Sequence, residues 1–182
     1  MKKSNTIVVN FLSGPGAGKS TMAAATFAEL KWMGINCELV SEFAKDLVWE
    51  KRFKTFKNQV YMFGKQHHRI HRLLGEVDVI VTDSPIILTP MYDVEKREVL
   101  TKLVMDEYAK SNNINFFIKR FKKYNPKGRN QTEKEAKVID KKLKDFLNEH
   151  RIEYFEIDGK REAIADIANI IRIGVKALHE GK

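Results

Sequence analysis

The glycine-rich stretch SGPGAGKST at residues 13–21 constrains this chain more than any other feature. It follows an apolar run and leads into a helical pattern, which is the strand–loop–helix order of a phosphate-binding P-loop. Glycines at alternate positions allow tight turns that point successive N–H groups at one anion. Lys19 supplies a charge for the β- and γ-phosphates, and the Ser20 hydroxyl is a ligand for Mg²⁺. The sequence therefore predicts a nucleotide site whose cofactors are ATP and Mg²⁺.

Eight of the residues predicted to bind ATP form one continuous segment, and the ninth is an acid that follows the last predicted strand. They are Gly14, Pro15, Gly16, Ala17, Gly18, Lys19, Ser20, Thr21 and Asp158. The strict motif begins with glycine, whereas this chain has Ser13 there. The neighbouring glycines still allow unusual backbone angles, and the helix that follows turns its positive N-terminal end towards the same anion.

Size and composition predict one soluble domain spanning residues 1–182. The chain is 43% hydrophobic and 31% charged, and no apolar run approaches the roughly 20 residues that cross a bilayer, so no membrane association is expected. The single cysteine, Cys37, excludes an intrachain disulfide and is expected to be buried and inert. These features favour a cytoplasmic protein.

Two basic segments carry the net charge of +9. Residues 43–75 contain 8 Lys/Arg against 2 Asp/Glu, and residues 119–144 contain 11 against 3. Such clusters predict a positive surface for polyphosphates or nucleic acid. The alternative is a set of solvated helix faces, above all in the second segment, where Glu133, Glu135 and Asp140 alternate with lysines.

Alternating strand and helix patterns predict an α/β three-layer sandwich with a five-stranded parallel sheet, which is a P-loop nucleoside-triphosphate hydrolase or kinase fold. The strands are expected at residues 6–12, 36–40, 77–82, 115–119 and 153–157. The helices are expected at residues 19–32, 56–74, 96–111, 132–150 and 161–178. A polar, basic stretch at about 121–131 has the composition of a mobile lid.

Acids that follow two predicted strands are candidates for the chemistry. Asp83 ends an apolar strand in the manner of a Walker B segment and is predicted to hold Mg²⁺ together with Ser20. Glu42 follows the second strand, and the carboxyl ends of parallel strands face the ligand crevice. Its carboxylate could accept a proton from an attacking hydroxyl, the alternative being an ordinary solvated strand end.

Two arginines complete the predicted catalytic set, which is Lys19, Glu42, Asp83, Arg120 and Arg129. Arg120 ends the fourth strand and Arg129 lies in the lid, where each could stabilise charge on a transferred phosphoryl group. The helix at 56–74 presents Gln59 and Gln66 on a face that either joins the core or points into the crevice.

The segments GPGAGKS at 14–20, SEFAKD at 41–46, QVYMFGKQ at 59–66, TDSP at 82–85 and YNPKGRNQ at 124–131 carry a resemblance. Together they resemble a family of phage-encoded P-loop ATPase/kinase proteins. That family is similar to the ribosylnicotinamide kinase domain of bacterial NAD-synthesis regulators and, more distantly, to thymidylate and deoxynucleoside kinases. The thymidylate kinase pattern has an Asp-Arg pair after the second strand, where this chain has Glu42 and Lys45.

The resemblance implies an ATP-dependent phosphotransferase in the host cytoplasm, with Glu42 near the acceptor hydroxyl and Arg129 in the lid. Its acceptor would be nucleoside-like, and the candidates are 5-hydroxymethyluracil in phage DNA, a deoxynucleotide and ribosylnicotinamide. The absence of an Asn-Lys-x-Asp sequence argues against a GTPase, and a remodelling ATPase of the AAA type normally has a further helical domain. A nucleic-acid-associated ATPase is the alternative, and a homodimer is compatible with either.

Overall fold

The computed structural model describes residues 4–121 and 132–180, and the fold is given for these ranges. The strands are β1 (Ile7–Leu12), β2 (Cys37–Val40), β3 (Val79–Thr82), β4 (Asn112–Lys119) and β5 (Phe155–Asp158). Every pairing is parallel, in the order β2-β3-β1-β4-β5. The predicted five-stranded parallel sheet is therefore confirmed, with β4 beginning three residues earlier than expected.

Eight helices and a short 3₁₀ turn connect the strands within these ranges. They are α1 (Lys19–Trp32), α2 (Phe43–Trp49), α3 (Phe53–Phe56), α4 (Gln59–His71), the 3₁₀ turn Ile86–Leu88, α5 (Thr89–Tyr92), α6 (Glu98–Ala109), α7 (Glu133–Glu149) and α8 (Ala163–Glu180). The helix predicted at 56–74 is shorter because the Asn58 side chain caps α4 by accepting from the Tyr61 amide. A capping box of Thr132 and Glu135 begins α7.

The sheet has a separate hydrophobic core on each face, because alternate β1 side chains point in opposite directions. Val9 packs on one side with residues of α1 and α8. Val8 packs on the other side with residues of α4, α6 and α7. Cys37 is buried in the first core as expected, and burial raises the pKa of its thiol, which makes it unreactive.

A buried amide network joins β1 to β4. The Asn10 side-chain nitrogen donates to the side-chain oxygens of Asn113 and Asn115, each at 3.0 Å. The Tyr108 hydroxyl donates to the same Asn115 oxygen at 2.9 Å, and burial raises the pKa of Tyr108 to about 12. Asn10 and Asn115 are also partners in the strand register, so the network ties the two central strands together at one position.

All five strands end at one edge of the sheet, since they run in the same direction. The P-loop follows β1, Glu42 follows β2 after Ser41, Asp83 follows β3 and Arg120 follows β4. In parallel α/β sheets this edge holds the ligand crevice. Over the described residues, no helix combines the length and apolar character needed to cross a membrane.

Candidate functional site

The three P-loop glycines are needed for two different reasons. Gly16 and Gly18 have φ angles of 82° and 108°, in the left-handed region that disfavours side chains. Gly14 has no such angle, but a Cβ atom there would lie 2.6 Å from the carbonyl oxygen of Ala136 in α7. The first glycine of the loop therefore allows α7 to approach closely, and the other two allow the loop to turn.

Lys19 lies between the loop and the predicted catalytic acids. Its ammonium group donates to the carbonyl oxygens of Ser13 at 2.8 Å and Gly14 at 3.2 Å. Burial lowers the pKa of Lys19, whereas the charges of Glu42 and Asp83 raise it. Because both carboxylates act on this ammonium, the structure brings three of the predicted catalytic residues to one place.

Asp83 has the surroundings expected of a cation ligand. It is buried, and its Oδ1 atom has no hydrogen-bond partner among the described residues. A buried carboxylate oxygen without a partner is costly, and a cation would remove that cost. Ser20 is exposed in the first turn of α1, so a hydroxyl and a carboxylate are available. No cluster of three or more His, Cys, Asp or Glu able to hold a metal occurs in the described ranges.

A pair of side chains, here named the loop clamp, ties the P-loop to α7. The clamp consists of Arg120 and Asp140, whose side chains are only 15% and 18% exposed. Arg120 Nε donates to Asp140 Oδ2 at 2.5 Å, and Arg120 Nη1 donates to the Pro15 carbonyl oxygen at 2.8 Å. Asp140 Oδ1 accepts from the Gly14 amide at 2.5 Å. Arg120, predicted to act on the transferred phosphoryl group, is thus held against the loop backbone, and its catalytic role stays a prediction.

A cavity of about 350 Å³, here named the acceptor cavity, opens beside the P-loop. It includes the space at the P-loop, since Pro15, Gly16, Gly18, Lys19, Ser20 and Thr21 line it together with Glu42. Its other walls come from α2, α3, α4 and the segment 84–92. Large apolar side chains share these walls about equally with polar groups, and they include Phe43, Val48, Trp49, Phe56, Met62 and Tyr92. A concave chamber with apolar walls and a few convergent polar groups is the usual form of a small-molecule site.

The two glutamines of α4 are buried in the cavity wall, where their amides hold the chain near Glu42. Gln66 Oε1 accepts from the Phe43 amide at 3.0 Å, and its Nε2 donates to the Ser41 carbonyl at 3.4 Å. Gln59 Nε2 donates to the Phe56 carbonyl oxygen at 3.1 Å. Gln66 therefore supports the segment on both sides of Glu42, and both interpretations offered by the sequence hold in part.

Tyr92 is a cavity residue that the sequence did not suggest. Burial raises the pKa of its hydroxyl, and the neighbouring Glu42 charge raises it further. The phenol therefore stays protonated and can donate a hydrogen bond in the cavity.

The end of β5 lies against the P-loop backbone. A Cβ atom at Gly159 would lie 3.2 Å from the Ala17 carbonyl oxygen, tighter than an ordinary contact, so glycine favours this approach. The Asp158 carboxylate pairs with Lys119 at 3.2 Å and with Lys160 at 3.5 Å. Its predicted place near the nucleotide stays a prediction. Arg129 and residues 122–131 of the expected lid lie outside the described residues.

Comparisons with known proteins place the chain in a family. Residues 8–163, most of the chain, match the family model described as AAA domain. The chain belongs to this AAA domain family. No curated protein sequence matches it significantly.

Solved structures show the same fold. One of them is deoxyadenosine kinase from M. mycoides with its products dCMP and a flexible dCDP bound. The TM-score is 0.56 at 18% sequence identity, and the match covers 93% of this chain and 99% of the kinase. The P-loop α/β fold expected from the sequence is thus found in a kinase of known structure.

Proposed function

We propose that this chain is an ATP-dependent phosphotransferase that moves the γ-phosphate of ATP to a hydroxyl of a nucleoside-like acceptor. The observation that carries the proposal is the acceptor cavity, which Lys19, Ser20 and Glu42 line together. A P-loop enzyme that only hydrolyses ATP needs space for a water molecule beside the γ-phosphate and for no second substrate. Here the phosphate site adjoins a chamber with space and apolar walls for a second substrate, which is the arrangement that transfer requires.

The charge of each site residue determines its role in the proposed transfer. Glu42 accepts the proton of the attacking hydroxyl. Lys19 neutralises negative charge on the phosphates, and burial strengthens that interaction. Ser20 and Asp83 would hold Mg²⁺, which supplies further charge neutralisation at the phosphates when bound. Arg120 and Arg129 stay candidates for stabilising the transferred group.

The cavity offers space and aromatic walls for a nucleoside-like acceptor. Its volume of about 350 Å³, which includes the space at the P-loop, is within the range of small-molecule pockets. Aromatic faces stack readily on bases. The candidates are 5-hydroxymethyluracil in DNA, a deoxynucleotide and ribosylnicotinamide, and the basic segment 43–75 on this side favours an acceptor that carries phosphate.

A labelling experiment tests the proposal. The protein is incubated with γ-labelled ATP, Mg²⁺ and, in separate reactions, a nucleoside and deoxynucleotide panel, ribosylnicotinamide, or single-stranded DNA containing 5-hydroxymethyluracil. We expect label in one acceptor class, and the loss of that label in the Lys19→Ala variant. Label that appears only as free phosphate with every acceptor would overturn the phosphotransferase.

The second candidate is a nucleic-acid-associated ATPase, which the match to the AAA domain family favours. In that case DNA would increase the release of labelled phosphate without becoming labelled itself. The same reactions distinguish the two functions, since transfer and release are counted in one experiment.

A further inference from the structure

One wall of the acceptor cavity carries an exposed aromatic side chain. Trp49, at the end of α2, lines the cavity and is nevertheless 70% exposed. Phe53, four residues further along the chain at the start of α3, does not line the cavity and is 49% exposed. Exposed large apolar side chains beside a cavity are characteristic of binding surfaces. These two residues and the lysines described next are here named the aromatic rim.

The aromatic rim is strongly positive. Lys51, Lys54 and Lys57 are all exposed, and none of them forms an ion pair within the part of the chain that the structure describes. The acid nearest in sequence, Glu50, is already paired with Arg52 at 3.3 Å. The three lysines are therefore available to an anionic partner.

A basic groove continues the positive surface beyond the cavity. Phe43 lines both the acceptor cavity and this groove, so the two concavities adjoin. The groove contains Lys65, His68 and Arg72, and within the described ranges none of them has an acidic partner. Its other arginine, Arg69, pairs with an aspartate and lies over the Phe43 ring, 5.1 Å from the centroid.

We propose that the aromatic rim and the basic groove bind single-stranded nucleic acid, whose target nucleotide enters the acceptor cavity while a neighbouring base stacks on Trp49. This inference deepens the proposed function and rests on it for the role of the cavity. Three rim lysines and three groove cations are more than one nucleotide can contact. Exposed aromatic faces interleaved with cations bind successive bases and phosphates of a single strand. A base within a duplex would first have to leave the stack to enter such a cavity.

Intrinsic fluorescence gives a direct test, since the chain has two tryptophans. Trp32 lies at the opposite end of α1 from the P-loop, about 20 Å away along that helix, and is 81% exposed. In a Trp32→Phe background, Trp49 is the only tryptophan. We expect an oligothymidylate of 12 nucleotides to quench the Trp49 fluorescence in a saturable manner. Heparin, a polyanion without bases, should leave this fluorescence unchanged. Equal quenching by heparin, or none by the oligonucleotide, would overturn the stacking contact.

Charge removal tests the rim independently of the fluorescence signal. In anisotropy measurements with a labelled oligonucleotide, the Lys51→Gln/Lys54→Gln/Lys57→Gln variant should bind at least tenfold more weakly. The slope of its log affinity against log salt concentration should fall in magnitude by about 2, at roughly 0.7 per lost phosphate contact. The matched control removes three exposed lysines elsewhere, by Lys31→Gln/Lys102→Gln/Lys176→Gln. An equal loss in the control would show general electrostatics and overturn the proposed surface.

The outcomes separate this inference from the proposed function. Phosphorylation of free nucleosides by a protein that does not bind the oligonucleotide would overturn the nucleic-acid surface and leave the phosphotransferase. Binding of the oligonucleotide with quenching of Trp49, but without transfer to any acceptor, would overturn the phosphotransferase and leave the nucleic-acid surface. Tighter binding of duplex than of single strand would also contradict the surface proposed here.

Discussion

The two sides of the site are built in different ways. On the donor side, which comprises the P-loop and the loop clamp, Lys19, Arg120 and Asp140 are all bonded to the backbone of the loop. On the acceptor side, short helices surround a cavity, and Trp49 at its mouth is mostly exposed. The contrast teaches that polar contacts to the loop backbone hold the phosphate site, whereas short helices with mixed polar and apolar side chains shape the acceptor site. Changes on the two sides should therefore have separable effects.

The largest effect is expected from Lys19→Ala on the donor side. It removes the charge that neutralises the phosphates in a desolvated site, so we expect ATP turnover of every kind to fall by about 10²–10³-fold. Release and transfer of labelled phosphate are measured together. Lys102→Ala, an exposed lysine of α6, is the control, and a variant at Lys19 that keeps transfer would contradict the P-loop assignment.

Glu42→Gln should impair transfer to the acceptor more than reactions that involve only the donor side. The amide cannot accept the hydroxyl proton, so transfer should fall by about 10²-fold or more, a typical contribution of a general base. Phosphate release to water should fall much less, because Lys19, Ser20 and Asp83 remain in place at the phosphates. The ratio of transfer to release is the measurement. An unchanged ratio would show that Glu42 does not act on the acceptor.

Asp140→Ala tests the loop clamp. It leaves the mostly buried Arg120 without its carboxylate and the Gly14 amide without its acceptor, so the loop should lose its fixed position. We expect the KM for ATP to rise about tenfold, an effect of about 1.4 kcal/mol, with the KM of the acceptor unchanged.

Asp140→Asn, which keeps one acceptor oxygen, should restore part of the ATP affinity. Asp106→Ala removes an exposed acid from α6 and is the matched control. Equal changes in both KM values would indicate general destabilisation rather than a clamp on the donor side.

The smallest effect is a shift in pH dependence. Burial lowers the pKa of Lys19 and the Glu42 charge raises it, so ATP affinity should decline as pH rises through a value below that of an ordinary lysine. Removing the charge in Glu42→Gln lowers that pKa further, and the decline should begin at a lower pH. Titration of a fluorescent ATP analogue between neutral and alkaline pH measures both curves. A shift to higher pH would contradict the coupling.

The residues at the ends of the strands were more predictable from sequence than the helices at the cavity. The strand–loop–helix order and the apolar runs placed the P-loop, Glu42 and Asp83 correctly after their strands, because these signals are local. The helices that form the cavity mouth, Phe43–Trp49 and Phe53–Phe56, contain 7 and 4 residues, too few for a helical period to be recognised. Trp49 therefore could not be placed in advance.

The loop clamp was missed because Asp140 and Gly14 lie 126 residues apart. One signal was present: Ala136 and Leu143 are buried positions of α7, and Asp140 follows the first by four residues and precedes the second by three. An acid on the apolar face of a helix requires a partner. Because lysines surround that acid in the sequence, it was named only under the alternative of solvated helix faces, and its partner in the P-loop was not predicted.

The amide network between Asn10 and Asn115 has a consequence for catalytic precision. Arg120 reaches Pro15 only because β4 is aligned with β1, and a slip of one residue would displace it by about 3.3 Å while inverting the faces of the strand. That displacement exceeds the tolerance of a hydrogen bond. Apolar strands alone specify alignment weakly, because one branched side chain packs nearly as well as the next. The buried asparagines accept a single alignment, so the accuracy of the phosphate site is determined in the middle of the sheet, away from any substrate.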